Sequence, residues 1–157
     1  MEEYIMTIDE GTTSARAVLF NKDSEIIAIC AKEFAQYYPQ PGWVEQDPKE
    51  IWLTTKEVIN RVVLQAGIDP RQIKAAGITN QRETVVVYDK NTGEPVYNAI
   101  GWADRRTAPY CDELKAAGKE QMFIDKTGLL IDGYFSGTEI KWILDNVKGV
   151  RERAEKG

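Results

Sequence analysis

The stretch "YIMTIDEGTTSARAVLF", residues 4–20, breaks an apolar run at an acid, passes through one glycine and three consecutive hydroxyl residues, and resumes as a second apolar run. A simple hairpin needs less polar material, because Asn-Gly or Asp-Gly closes two strands without it. The surplus suits a polyphosphate. A tight turn through Gly11 would direct backbone N–H groups into one concavity, the hydroxyls of Thr12, Thr13 and Ser14 would add donors, and Arg16 would add a cation. Asp9, ending the first strand beside that turn, suits a hydrated Mg²⁺ more than a phosphate oxygen. The segment is not a Walker A loop, since no Lys follows the glycine and "ARAVLF" continues as a strand where a helix would start. A hairpin merely decorated with polar residues, Asp9 facing outward, is the plainer alternative.

Three further groupings carry potential chemistry. In "GITNQRETVVVYD", Arg82 and Glu83 interrupt two apolar runs. One donates and the other accepts, so together they can bracket neighbouring hydroxyls of a polyol, although a surface ion pair is the commoner fate of such neighbours. In "GWADRRT", Trp102 precedes Asp104, Arg105 and Arg106. Its indole can offer a flat apolar wall and one N–H to a small polyol; the alternative is a core Trp followed by a solvated helix start. In "GLLIDGYFSGT", Tyr134 lies just before a helix start and can turn its hydroxyl toward a pocket. The chain has no histidine, so any acid–base or metal chemistry must rest on carboxylates, hydroxyls and arginine.

The elements that must position these residues read as α/β. Residues 4–9, 15–21 and 25–35 carry β-type material separated by "DEGTTS" and "NKDSE", and predict a three-strand antiparallel meander paired in order. After a Pro- and Gly-rich loop with Trp43, Asp47 as N-cap, Pro48 at the first position and Glu50 form a capping-box pattern. Ile51, Val58, Ile59, Val62 and Val63 then recur at helical spacing up to Gly67 and Pro70. Segments 73–79 and 84–89 predict a fourth and fifth strand, followed by a short extended piece ending near Trp102. Helices are expected over 105–117, over a short segment to about 126, and over 137–148, with Ser136 and Glu139 as a second capping box.

The 157 residues suffice for one domain with a real core, or part of one. With 20 Lys plus Arg against 25 Asp plus Glu, a net charge of −5 gives no footprint for nucleic acid or an anionic membrane, and the expected partner is a small molecule. Cys30 and Cys111 lack metal or redox spacing and read as free thiols of a reducing compartment. "MEEY" has no apolar signal core, and no run is long enough to span a bilayer, so the expected location is the cytoplasm, with no anchor and no export signal.

In this order, "DEGTTSARAVLF", "PGWVEQDPKEIW", "GITNQRETVVVYD", "NAIGWADRRT", "TGLLIDGYFSGTEIKWILDNV" and "RERAEKG" resemble the N-terminal part of the FGGY carbohydrate kinases, and within them the members that phosphorylate glycerol. The resemblance implies an actin-like ATPase fold with a ribonuclease H-like mixed sheet, and transfer of phosphate from ATP to glycerol with Mg²⁺. It implies that Asp9 assists the metal, that Thr12, Thr13, Ser14 and Arg16 line the nucleotide phosphates, and that Arg82, Glu83, Trp102 and Tyr134 hold glycerol. Pentulose and gluconate kinases of the family, or a non-catalytic binding fragment, remain alternatives, and a homo-oligomer is left open. Two positions depart from the family pattern: Glu10, where many members carry Gln, and Gly101, where many carry a bulkier apolar residue. The family's catalytic base and adenine pocket lie outside the segments matched, so the chain by itself is expected to be inactive.

Overall fold

The computed structural model describes residues 2–157. They form two compact units: one comprises the chain up to Gln36 together with Asp47–Gln81, the other Tyr37–Gln46 with Arg82–Gly157.

In the first unit, β1 (Tyr4–Glu10), β2 (Ser14–Asn21) and β3 (Ile26–Glu33) make the expected antiparallel meander, and β5 (Ile73–Thr79) adds in parallel beside β1, giving the order β3-β2-β1-β5. The alternation that predicted strands also chooses the buried face. Tyr4, Met6 and Ile8, then Ala15, Ala17 and Leu19, then Ala28 and Cys30 form one core with Val58 and Val62 of helix α1 (Pro48–Ala66). Small residues on β2 let the helix approach the sheet closely. The opposite face is open: Ile5, Ile27 and Ile29 are exposed on it. Thus one helix covers the sheet of this unit, on one face.

Helix α1 starts where expected, the Asp47 side chain accepting the Lys49 N–H at 2.8 Å. Glu50, expected to complete a capping box, reaches across to the Ala35 N–H at 3.1 Å. The helix ends on Gly67 in the left-handed conformation, φ 65°, with its N–H on the Leu64 carbonyl. A capping box does occur at the following turn, where Asp69 and Gln72 cap the short 3₁₀ segment Pro70–Gln72 reciprocally.

The second unit contains the two-residue pair β4 (Glu45–Gln46) and β6 (Ala99–Ile100) and helices α2 (Ala108–Ala116), α3 (Glu120–Thr127), α4 (Ser136–Asn146) and α5 (Val150–Glu155). Val85, Ile100, Ile143 and Val150 form its apolar core, with Val87, Tyr97, Trp142 and Leu144 packed around it. The fifth strand expected over 84–89 is reduced to isolated bridges, Val85 to Ile100 and Tyr88 to Pro95. Both bonds flanking the second bridge are made, Val96 N–H to the Val87 carbonyl at 2.9 Å and Asp89 N–H to the Glu94 carbonyl at 2.8 Å, so Pro95 sits at a pair that needs no N–H from it; the ladder breaks because the two bridges are out of register. Helix α2 begins three residues later than expected, and the charged C-terminal segment forms α5.

The second capping box is corrected by the structure. Phe135, not Ser136, is the N-cap of α4, and no side chain of the expected box caps it. Ser136 is instead bound to Glu83, and Glu139 is completely buried.

Candidate functional site

The hairpin between β1 and β2 brings Asp9, Thr12, Thr13, Ser14 and Arg16 together in the first unit. Asp9 and Arg16 are opposite each other in register, with Arg16 Nη1 3.7 Å from Asp9 Oδ2 and both side chains about half exposed, 50% and 45%. An exposed pair at that distance contributes little to stability, so neither charge is locked away from a ligand. Thr13 is exposed, and Thr12 and Ser14 are partly so. The Thr12 carbonyl accepts Gln36 Nε2 at 3.0 Å and the Thr13 carbonyl accepts the Phe34 N–H at 3.2 Å, which ties the turn to the segment leaving β3.

Gly11 serves differently from expectation. Its N–H donates to the Ser14 carbonyl at 2.9 Å, so it closes the turn and is not offered to a ligand. A Cβ at this position would lie 2.9 Å from that same carbonyl oxygen. Gly11→Ala is therefore expected to open the turn and cost about 1 to 2 kcal/mol, read as a lowered urea midpoint with unchanged slope.

Glu10 does not add its charge to the face that carries Asp9. Strand alternation turns it to the α1 side, where Thr55 Oγ1 donates to Glu10 Oε1 at 2.7 Å. The other oxygen, Oε2, is buried without a partner. Gly101 is buried in the second unit and pinned by backbone hydrogen bonds, its N–H to the Val44 carbonyl at 2.9 Å and its carbonyl from the Asp104 N–H at 2.8 Å. A Cβ there would meet Val44 Cγ1 at 3.4 Å, so a bulkier residue requires Val44 to yield.

The second unit gathers Glu83, Trp102 and Tyr134. The Trp102 and Tyr134 rings meet edge to face at 5.8 Å, and Tyr134 meets Phe135 at 5.1 Å. The Tyr134 N–H donates to Asp132 Oδ1 at 2.8 Å, and Arg105 Nη1 donates to the same oxygen at 2.9 Å. Those bonds hold the Asp132 carboxyl below its usual range; the backbone N–H of Tyr134 contributes most, burial opposes it, and Arg105 adds to the lowering. Trp102 is 38% exposed, and Arg82 is exposed and makes no ion pair among the described residues. Glu83 adopts φ 63°, in the left-handed region. It also lies on the wall of a cavity of about 490 Å³, with Ser136, Thr138 and Lys141 among its polar neighbours and Phe123 and Leu130 among its apolar ones.

The alternative reading of "GWADRRT" puts Asp104 and Arg106 in a solvated helix start, and the structure buries both. The Arg106 side chain is fully buried, its Nη2 2.8 Å from Glu45 Oε1 and 2.9 Å from Asp104 Oδ2, and its Nε 3.0 Å from Asp104 Oδ1. The guanidinium carbon stands 3.9 Å from the Trp43 ring centre and 4.6 Å from that of Trp142. Burial alone would lower the Arg106 pKa; the bonds to Asp104 and Glu45 outweigh it and raise it. Burial likewise pushes Glu45 up, yet donors from Tyr97, Asn98 and Arg106 bring it below its ordinary value. No local pattern shows this cluster, because Arg106 and Glu45 are 61 positions apart in sequence.

Among the described residues no group of three or more His, Cys, Asp or Glu side chains could hold a metal ion, and no helix is long and apolar enough to cross a membrane.

The profile of the FGGY family of carbohydrate kinases, N-terminal domain, matches residues 4–157. A glycerol kinase of Carboxydothermus hydrogenoformans is 60% identical over 156 residues, 99% of this chain and 31% of that protein. The chain thus spans about a third of the length of such relatives. Among solved structures, the Plasmodium falciparum glycerol kinase with ADP superposes with a TM-score of 0.91 at 30% identity, covering 99% of this chain and 31% of that one. The gluconate kinase of Lactobacillus acidophilus superposes with a TM-score of 0.87, covering 97% and 30%, but at 24% identity it speaks for the fold alone. These neighbours have the actin-like ATPase fold, which the mixed α/β arrangement here matches. The chain belongs to the FGGY family of carbohydrate kinases.

Proposed function

We propose that this chain is the N-terminal part of an ATP-dependent glycerol kinase, which transfers the terminal phosphoryl group of ATP to a terminal hydroxyl of glycerol and yields glycerol 3-phosphate and ADP. The observation that carries this reading is the 60% identity, over 99% of the chain, to a protein named glycerol kinase. The gluconate kinase likeness does not compete with it, being a likeness of fold.

The geometry supports a division of labour between residue sets. Thr12, Thr13, Ser14 and Arg16 stand together at an accessible turn and would take the nucleotide phosphates through hydroxyl donors and one cation. Glu83 would accept from one glycerol hydroxyl and Arg82 would donate to another, with Trp102 and Tyr134 forming an aromatic corner against the carbon chain. Such a reaction rests on positioning and charge neutralisation, with no covalent intermediate on the protein.

A single accessible carboxylate, Asp9, fits Mg²⁺ held through water, because that ion keeps several waters and otherwise binds substrate phosphates. When bound, the ion would offset charge on the transferring phosphate. The working compartment in this reading is the cytoplasm.

The test is Arg82→Ala in the kinase whose reading frame contains this chain. The glycerol KM should rise by an amount corresponding to about 1 to 3 kcal/mol, the cost of an unmade hydrogen bond to a charged group. The KM for ATP should hardly move, since the phosphate set lies on a different segment. D-xylulose and gluconate are run as competing substrates. A fall in ATP affinity at constant glycerol KM, or a preference of the unmutated enzyme for either sugar substrate, would overturn the assignment.

A further inference from the structure

Glu83 is held in a backbone conformation that a side chain with a Cβ rarely adopts, φ 63°. Such a residue persists only where its surroundings over-determine it. Here one residue supplies most of that determination, from 53 positions away in sequence. The Ser136 N–H donates to Glu83 Oε2 at 3.2 Å, and the Ser136 hydroxyl lies 3.0 Å from the same Oε2 and 3.0 Å from the Glu83 backbone carbonyl oxygen. The hydroxyl has one proton, so it alternates between two acceptors that belong to one residue.

Both ends of Glu83 are therefore fixed from a single point. The first-turn N–H of α4, which no side chain at Phe135 caps, is satisfied by this distant carboxylate, an arrangement that the positive N-terminal end of the helix favours. Among the described residues, Glu83 Oε1 has no hydrogen-bond partner. One carboxylate oxygen is committed to the protein, and the other is left directed by that commitment.

We infer that Ser136 is a positioning residue of the polyol site, acting through Glu83 by fixing its backbone carbonyl and one carboxylate oxygen so that the second oxygen is presented to a substrate hydroxyl. The inference rests on the reading of Glu83 as a glycerol ligand. Ser136 needs no contact with substrate to have this effect. A carboxylate that wanders by an ångström loses the orientation on which a two-point polyol contact depends.

The test is a double-mutant cycle in the kinase containing this chain, with glycerol KM, ATP KM and kcat measured for each variant. Ser136→Ala is expected to raise the glycerol KM about tenfold, with ATP KM within twofold. Ser136→Thr, which keeps the hydroxyl and the backbone N–H, should stay within threefold of the unmutated enzyme. In the background of Glu83→Gln, which itself raises glycerol KM, Ser136→Ala should add little, because the group it positions is already impaired. If the alanine variant does not fold, Ser136→Cys, nearly isosteric and a weak donor, takes its place in the cycle.

An Ser136→Ala effect that multiplies in full with that of Glu83→Gln overturns the positioning role, as does a glycerol KM unmoved by Ser136→Ala while Glu83→Gln raises it. A glycerol KM unmoved by Glu83→Gln overturns the ligand reading itself, and the positioning role with it. The two failures are thus told apart by the Glu83 variant alone.

Discussion

Arg106→Ala is expected to destabilise the protein by about 3 to 5 kcal/mol, the largest effect of any single substitution considered. The side chain is fully buried, and so are its two carboxylate partners, at 3% and 1% exposure. Removing the cation leaves Glu45 and Asp104 as uncompensated buried charges. It also empties the corner formed by the Trp43 and Trp142 rings, which meet edge to face at 5.2 Å and stand 3.9 and 4.6 Å from the guanidinium carbon. Remaining donors limit the damage: Tyr97 and Asn98 still serve Glu45, and the Val44 N–H still serves Asp104. None of them carries a positive charge. Arg106→Lys should recover only part of the loss, because a point charge replaces a planar fork that both stacks and bonds two acids.

Urea unfolding followed by tryptophan fluorescence is the measurement, since two of the indoles stack on the missing group. A triple variant, Glu45→Gln with Asp104→Asn and Arg106→Met, should cost less than Arg106→Ala alone, because it removes the whole ionic set and leaves no buried charge. A loss below about 1 kcal/mol for Arg106→Ala would show that the cluster is solvated, as a helix start on the surface would be.

The contrast with the hairpin shows which parts of this molecule a sequence exposes. Tyr4, Met6 and Ile8 alternate with Ile5, Thr7 and Asp9, and that period of two predicts the strand, its buried face and the outward direction of Asp9. The same alternation explains why Glu10 faces α1, although its partner Thr55 could not be read from the strand itself. The expected strand over 84–89 failed for a non-local reason: its apolar content is strand-like, but the partner segment pairs through Pro95 at Tyr88 and through Ile100 at Val85, two registers that do not join into one ladder.

Site residues divide along the same line. Arg82, Glu83, Trp102 and Tyr134 stand out because polar or aromatic residues interrupt apolar runs, and all four lie in the second unit. Asp104 and Arg106 have the composition of an exposed helix start, and their burial depends on Trp43, Glu45 and Trp142, which are distant in sequence. Ser136 followed by Glu139 fits a capping box by spacing alone. The box did not form because Glu83 arrives from elsewhere in the chain to satisfy the helix end. With Phe135 as N-cap, Glu139 falls one position beyond that of a capping box and is buried.

That burial makes Glu139 the source of the second large effect. Its side chain is completely buried, and neither carboxylate oxygen has a hydrogen-bond partner among the described residues. Burial raises its pKa to about 9, the Asp104 and Glu83 charges push in the same direction, and the Arg106 charge opposes them. Glu139 is therefore neutral in the folded protein at pH 7 and ionised in the unfolded chain, whose pKa is the ordinary 4.5. The sign follows from proton binding: between those values the folded state holds one more proton, so stability falls as pH rises. It is undiminished below the unfolded pKa and lost progressively up to about 9. The slope is about 1.4 kcal/mol per pH unit, so the loss by pH 7 is about 3 kcal/mol. Glu139→Gln, which cannot ionise, should match the unmutated protein near pH 5 and exceed it increasingly toward pH 8. Other shifted carboxyls do not confuse this window, because Glu45, Glu57, Asp69, Asp89, Asp132 and Asp145 are all held low and lose their contribution on the acid side. Urea midpoints of both proteins from pH 5 to 8 decide the matter. Parallel pH profiles for the two would mean that the Glu139 carboxyl reaches solvent and titrates normally in the folded protein.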